Sequence, residues 1–290
     1  MRLDNRRTSG NIVDRRSSRG RTIGVGGGIV GVIIVAVVTL LSGGDLSQVA
    51  GNAMQMLGGS DGTQQAARVP DAEEQQLYDL SSKVLAGTED VWSHIFEKEG
   101  WGEYTPPEMV IYSGSIQTGC GQGTAQVGPF YCSADQTVYL DLDFFKTMQQ
   151  QIGASGDFCY AYVIAHEVGH HVQYLLGTLD KAHAEMNRLP EAEANRISVR
   201  LELQADYYAG VWGHTDNELF SSLEEGDVEE AVNAASKIGD DYLQKKAYGR
   251  EMPETFNHGR SEWRVRWLSK GLESGDPEQG DTFSIPYSSL

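Results

Sequence analysis

The sequence predicts an α+β fold, mostly helical with a small β-sheet, preceded by one transmembrane helix. Three observations carry that prediction. Apolar residues recur at helical spacing through much of the chain beyond residue 71. Only two short runs rich in β-branched and aromatic residues, Met109-Val-Ile-Tyr112 and Thr137-Val-Tyr-Leu140, read as strands. Residues 23 to 41 contain no charged side chain, and 19 residues at about 1.5 Å each nearly cover a bilayer core of about 30 Å.

We place the span at residues 22–41. Ahead of it stand Arg2, Arg6, Arg7, Arg15, Arg16, Arg19 and Arg21 against Asp4 and Asp14, and the next basic residue is Arg68. The positive-inside rule then makes residues 1–21 a cytoplasmic arginine-rich tail and exports the rest to the periplasmic or extracellular side of the cell membrane. The run is long for a signal peptide and no small-x-small site directly follows it, which favours an uncleaved anchor. Residues 42–70, rich in Gly, Ser, Gln and Ala, have linker composition. Residues 71–290 suffice for one domain with its own core. The net charge is −18 overall and +5 over the first 21 residues, leaving −23 beyond them, which repels nucleic acid and anionic headgroups.

Within the domain, Leu77, Leu80, Val84, Val91, Trp92, Ile95 and Phe96 keep helical spacing over residues 72–98 as a core-facing stripe. Cys120 and Cys132 bracket a glycine-rich loop, Gly121 to Tyr131. Twelve residues apart in an exported domain, they pair as a disulfide whose loop closure contributes about 3 kcal/mol. Neither belongs to a CxxC pair, so metal ligation is the weaker reading. Cys159, in an apolar stretch, reads as a buried thiol rather than a nucleophile. Asp157 is placed to cap the helix that follows it, and further helices are expected at about 182–213, 227–247 and 260–272.

His166-Glu167-Val168-Gly169-His170 carries the chemistry. On a helix, residues i and i+4 lie about 40° apart around the axis, so both imidazoles reach one metal from one face. Burying this much polarity on an apolar helix is costly unless the groups are ligated or paired. The metzincin extension HExxHxxGxxH is excluded, because its glycine and third histidine fall on Gln173 and Leu176. In Arg200-Leu-Glu202-Leu-Gln-Ala-Asp206, two carboxylates again stand at i and i+4. Glu202 completes a His₂Glu site for one Zn²⁺ per chain, with the fourth position left for water. Asp206, one turn on, accepts the free N–H of a ligating histidine, His166 first among them. Taken without the upstream motif, the same pair would read as a solvated face in a chain with 41 acidic residues.

These segments, with Gly128-Pro-Phe-Tyr-Cys132, Val138-Tyr-Leu-Asp141 and His258-Gly-Arg-Ser-Glu-Trp-Arg264, make the chain resemble the bacterial family of neutral zinc metallopeptidases over nearly its whole length. The resemblance implies a gluzincin-like, zincin-type peptidase with His166, His170 and Glu202 on zinc and Glu167 as general base. It transfers a chemistry, not a biological target. His258, before Gly259, matches the family's His-Gly segment and is the candidate to stabilise the oxyanion, with His214 as runner-up. His171 points about 100° away from His170 and reads as structural. His94 and His183 read as surface or capping residues.

The leading function is a membrane-anchored zinc peptidase acting on peptide or protein substrates, in which Glu167 takes the proton of a zinc-activated water. The strand around Val138-Tyr139-Leu140 is the expected place for substrate to add as a further strand. Two alternatives keep the same residues: a zinc amidase acting on a non-peptide envelope substrate, and a tethered binding or assembly module with a vestigial site. The intact Glu167 opposes the last, since a scaffold has no use for a general base.

Overall fold

The computed structural model describes residues 1–16, 70–124 and 128–290. Strand β1 (Ile12–Asp14) precedes helix α1 (Ala72–Glu99) and strands β2 (Glu108–Tyr112), β3 (Ser115–Thr118), β4 (Gly121–Thr124), β5 (Phe130–Cys132) and β6 (Thr137–Asp141). The rest is helical: α2 (Asp143–Thr147), α3 (Asp157–Leu175), α4 (Thr178–Met186), α5 (Glu191–Phe220), α6 (Asp227–Lys237), α7 (Asp240–Tyr248) and α8 (Ser261–Ser274). The expected α+β architecture, mostly helical with a small sheet, is therefore present. The anchor at 22–41 and the linker fall outside the described residues. Among the described residues no helix is long and apolar enough to cross a membrane.

Helix α1 begins where the Asp71 side chain accepts the N–H of Glu74 and ends at Gly100, whose left-handed backbone returns its N–H to the last turn. Its predicted stripe is buried against α3 and α5, with Val91 and Trp92 fully enclosed. Helix α3 departs from expectation at its start. Asp157 is its first helical residue rather than its cap, and the N–H of Phe158 is taken by Glu230 of α6 at 3.1 Å. The helix expected over 182–213 is two, because Pro190 cannot continue α4 and instead opens α5. The helix expected over 227–247 likewise breaks at Gly239.

The four-stranded sheet runs β1-β2-β6-β5, with β1, β2 and β6 parallel and β5 antiparallel at one edge. Its central strand β6 is buried along its whole length. Because β2 and β5 occupy both edges of β6, substrate cannot add to Val138–Leu140. That expectation is corrected, and the outer strand on this side is β5. The stretch read as a glycine-rich loop contains β4, which pairs with β3, and most of β5, and Cys120 and Cys132 are joined by a disulfide.

The first sixteen residues also depart from expectation, since they are not a detached tail. Strand β1 pairs with β2, and the α-ammonium of Met1 donates to Asp227 at 3.0 Å. Arg6 makes a two-pronged bond to Asp216, at 3.3 and 2.9 Å, and stacks 3.7 Å above the Phe220 ring. Arg7 bonds Asp90 and Arg16 bonds Asp14. The arginines act as counter-ions for an acidic domain. In this structure residues 1–16 therefore pack against the domain instead of standing apart from it.

Candidate metal centre

Helices α3 and α5 approach unusually closely at Gly169. A Cβ there would stand 3.0 Å from the carbonyl oxygen of Ala205 and 3.2 Å from its Cα, so the glycine inside the His-Glu-x-x-His motif is what lets the two backbones meet. The close approach brings Glu202 between the imidazoles. Its Oε2 lies 3.2 Å from His166 Nε2 and its Oε1 3.4 Å from His170 Nε2. One ligand atom from each of the three residues lies within 4.8 Å of the others. The donor set of two imidazole nitrogens and one carboxylate oxygen fits zinc with an open fourth position.

Electrostatics agrees with that fit. Burial would raise the Glu202 pKa, but His170 and His166 hold it well below the usual carboxylate range. Burial would lower the His166 pKa, yet Asp206 and Glu202 raise it to about 10, so the trio draws positive charge to the point where these groups converge.

The predicted support from Asp206 is in place, and its own support is richer than the sequence suggested. Asp206 Oδ1 lies 2.8 Å from His166 Nδ1 and accepts the Tyr162 hydroxyl at 2.6 Å. Arg264 donates from Nε to Oδ2 at 2.7 Å and from Nη2 to Oδ1 at 2.9 Å. Despite complete burial, Arg264 and His166 hold Asp206 down to about 2. Arg264 reaches this point because α8 crosses α5 at Gly210 and Gly271, where a Cβ would stand 2.3 Å from Leu268 O and 2.2 Å from Tyr207 O. No local pattern marks Tyr162 or Arg264 as partners of Asp206.

Glu167 is buried beside the ligands. Burial raises its carboxyl pKa, while His166, His170 and the N–H donated by Tyr131 of β5 oppose the rise. It lines a cavity with His166, Glu202, His258 and Arg264, walled elsewhere largely by apolar groups including Phe144, Met148, Val163 and Ile238. His258 is 3% exposed and its Nδ1 lies 3.1 Å from Asp240 Oδ1. Oδ2 of Asp240 accepts the backbone N–H groups of Asn257, His258 and Gly259. Burial would lower the His258 pKa, but Asp240 and Glu202 raise it, and its Nε2 is buried with no hydrogen-bond partner among the described residues. Asp240 was not foreseen, because it is eighteen residues away on another helix.

The other histidines do not enter the cavity. The runner-up His214 bonds the carbonyl of Leu272 at 2.8 Å and does not line it. His171 fixes α3 to β5 and the preceding loop through Tyr131 and Thr105, and burial lowers it to about 4. His183 is not a free surface residue: burial first, then nearby His170, lowers its pKa. Cys159 is fully enclosed, and burial pushes its thiol up to about 12.

Comparison with known proteins meets the same chemistry. A relative from Escherichia coli strain K12, "Uncharacterized protein YpfJ", is 46% identical over 292 residues, covering 98% of this chain and 99% of its own. "Uncharacterized protein Rv2575" of Mycobacterium tuberculosis strain H37Rv is 44% identical over 191 residues, 62% of this chain and 64% of its own. No solved structure matches. The family model described as "Putative neutral zinc metallopeptidase" matches residues 1–283, the N-terminal segment included, and the chain belongs to that family.

Proposed function

We propose that this protein is a zinc-dependent peptidase, held at a membrane through residues 22–41, that hydrolyses peptide bonds with Glu167 as general base. The observation that carries the reading is the convergence of three ligand atoms, with two of their residues, His166 and Glu202, lining one cavity beside the buried carboxylate of Glu167. His166, His170 and Glu202 would hold the zinc, which when bound polarises the scissile carbonyl and acidifies a water. Glu167 takes the proton of that water and returns it to the leaving nitrogen. Its position one residue after His166, about 100° round the helix, directs it to the water rather than the metal. His258, which lines the cavity, donates from Nε2, when that nitrogen carries a proton, to the oxygen that becomes negative on the attacked carbonyl. The apolar wall accepts a bulky apolar substrate side chain and keeps bulk water away from the proton transfer.

Attachment to a membrane is supported by the length and lack of charge of the 22–41 run. The Cys120–Cys132 bridge supports an oxidising compartment for the domain. The deciding experiment is a cleavage profile over a broad peptide library, wild type against Glu167→Gln, full chain in detergent with zinc supplied. The variant is expected to bind zinc and lose at least about 10²-fold in hydrolysis, the lower end of a general base's contribution. A Glu167→Gln protein that cleaves as well as wild type sinks the mechanism. A wild type that cleaves nothing moves the binding-module reading ahead.

A further inference from the structure

An imidazole ligates a metal through one nitrogen only if the proton sits on the other, so each ligating histidine needs an acceptor behind it. For His166 that acceptor is Asp206. Among the described residues His170 has no carboxylate hydrogen-bonded at Nδ1. Its Nδ1 lies 2.8 Å from Oε1 of Gln173, three residues on along α3 and fully buried.

The direction of this contact follows from its neighbours. Gln173 Nε2 lies 2.8 Å from the carbonyl oxygen of Leu201, which can only accept, so the amide nitrogen faces α5 and the amide oxygen faces His170. Gln173 Nε2 also donates to Gln204 Oε1 at 3.1 Å, and Gln204 is oriented in turn because its Nε2 donates to the carbonyl of Gly280 at 2.9 Å. Every member of the chain from Gly280 to His170 therefore has one permitted orientation. The imidazole at its end must carry its proton on Nδ1, which leaves Nε2 bare toward Glu202. Leu201 immediately precedes Glu202, so the same amide fastens the second histidine to the helix turn that bears the third ligand.

We propose that Gln173, held in orientation by Gln204, is a positioning residue for His170: it fixes the tautomer and ring plane that present Nε2 to the metal. The proposal rests on the zinc reading of the site. A purely structural glutamine would affect stability alone, so the test measures two other quantities on the full chain. The first is zinc affinity by competition with a chromophoric chelator, wild type against Gln173→Leu. The folded variant, checked by circular dichroism, is expected to bind zinc about 10- to 100-fold more weakly, the usual cost of losing such a partner. A folded variant with wild-type affinity overturns the proposal. The second needs no variant and serves if Gln173→Leu does not fold: nitrogen-15 NMR of the zinc-free wild type, in which Nδ1 of His170 is expected to be protonated and a bare Nδ1 overturns the proposal. A wild type that binds no zinc at all sinks the metal reading instead, and the tautomer measurement still judges Gln173.

Discussion

The metal centre and the N-terminal sixteen residues are both held by buried charge pairs, yet the pairing of one was legible in the sequence and that of the other was not. At the centre, each helix carries its own pair at i and i+4, so the chemistry is written in local spacing. In the N-terminal segment, Arg6 finds Asp216 across 210 residues and Arg7 finds Asp90 across 83. The local spacing that marks the centre is four residues, whereas the partners of the N-terminal arginines lie 83 and 210 residues away. Arginines beside an apolar run satisfy a rule about membrane orientation, and they equally well neutralise an acidic surface, which for this domain means part of a net −23 beyond residue 21. Short-range pattern cannot choose between these uses.

The comparison breaks first if the two regions depend on each other. Glu202→Ala removes one of three ligands and is expected to abolish stoichiometric zinc in the purified protein, read by metal analysis, while leaving the N-terminal segment docked. Full zinc occupancy in that variant would transfer the third-ligand role away from Glu202. The next effect is also all or none. Thr8→Cys and Ser93→Cys, both exposed, are expected to react with a membrane-impermeant maleimide from the same face of the membrane, against a background kept low by the enclosed Cys159 and the bridged pair. Labelling from one face excludes a single crossing at 22–41, and labelling from opposite faces establishes that crossing and excludes the docked arrangement in the membrane-held chain.

What the sequence made legible follows the same division. His166, His170, Glu202 and Asp206 were found because helical periodicity converts spacing into direction. The expected disulfide was found because its cysteines are close in sequence. Arg264, Tyr162 and Asp240 were missed because their roles depend on how α7 and α8 lie across α3 and α5, a tertiary fact set partly by glycines whose local signal is only weakened helix propensity. Strand β5 was read as loop because three residues between Pro129 and Ser133 carry no alternation long enough to see. Gln173 was used only to exclude the metzincin extension, whose glycine it replaces, and its amide became informative once Leu201 stood behind it.

A smaller, graded effect separates the buried part of the N-terminal contact from the rest. The side chains of Arg6 and Asp216 are 10% and 1% exposed. Arg6→Ala leaves a carboxylate buried without its counter-charge and is expected to cost about 3–5 kcal/mol of unfolding free energy, measured by denaturant titration of the zinc-loaded protein. Zinc affinity should be unchanged in the folded variant. A loss below about 1 kcal/mol would mean that Asp216 finds water or another partner when Arg6 is gone.

The smallest effect sharpens the comparison most. Arg2 makes the same kind of pair, with its Nε 3.2 Å from Glu224 Oε1, but the two side chains are 61% and 49% exposed. Water solvates both charges whether or not they meet, and holding two long side chains in register costs rotamer entropy, so Arg2→Ala is expected to change stability by at most about 1 kcal/mol. Measured beside Arg6→Ala in one titration series, it asks whether the segment is held by one buried pair or by the summed field of the acidic domain. A cost for Arg2→Ala equal to that of Arg6→Ala, vanishing at 1 M salt where the screening length is about 3 Å, would assign the docking to net charge. A small cost indifferent to salt assigns it to the geometry around Asp216, where a guanidinium fork meets an enclosed carboxylate beside the Phe220 ring.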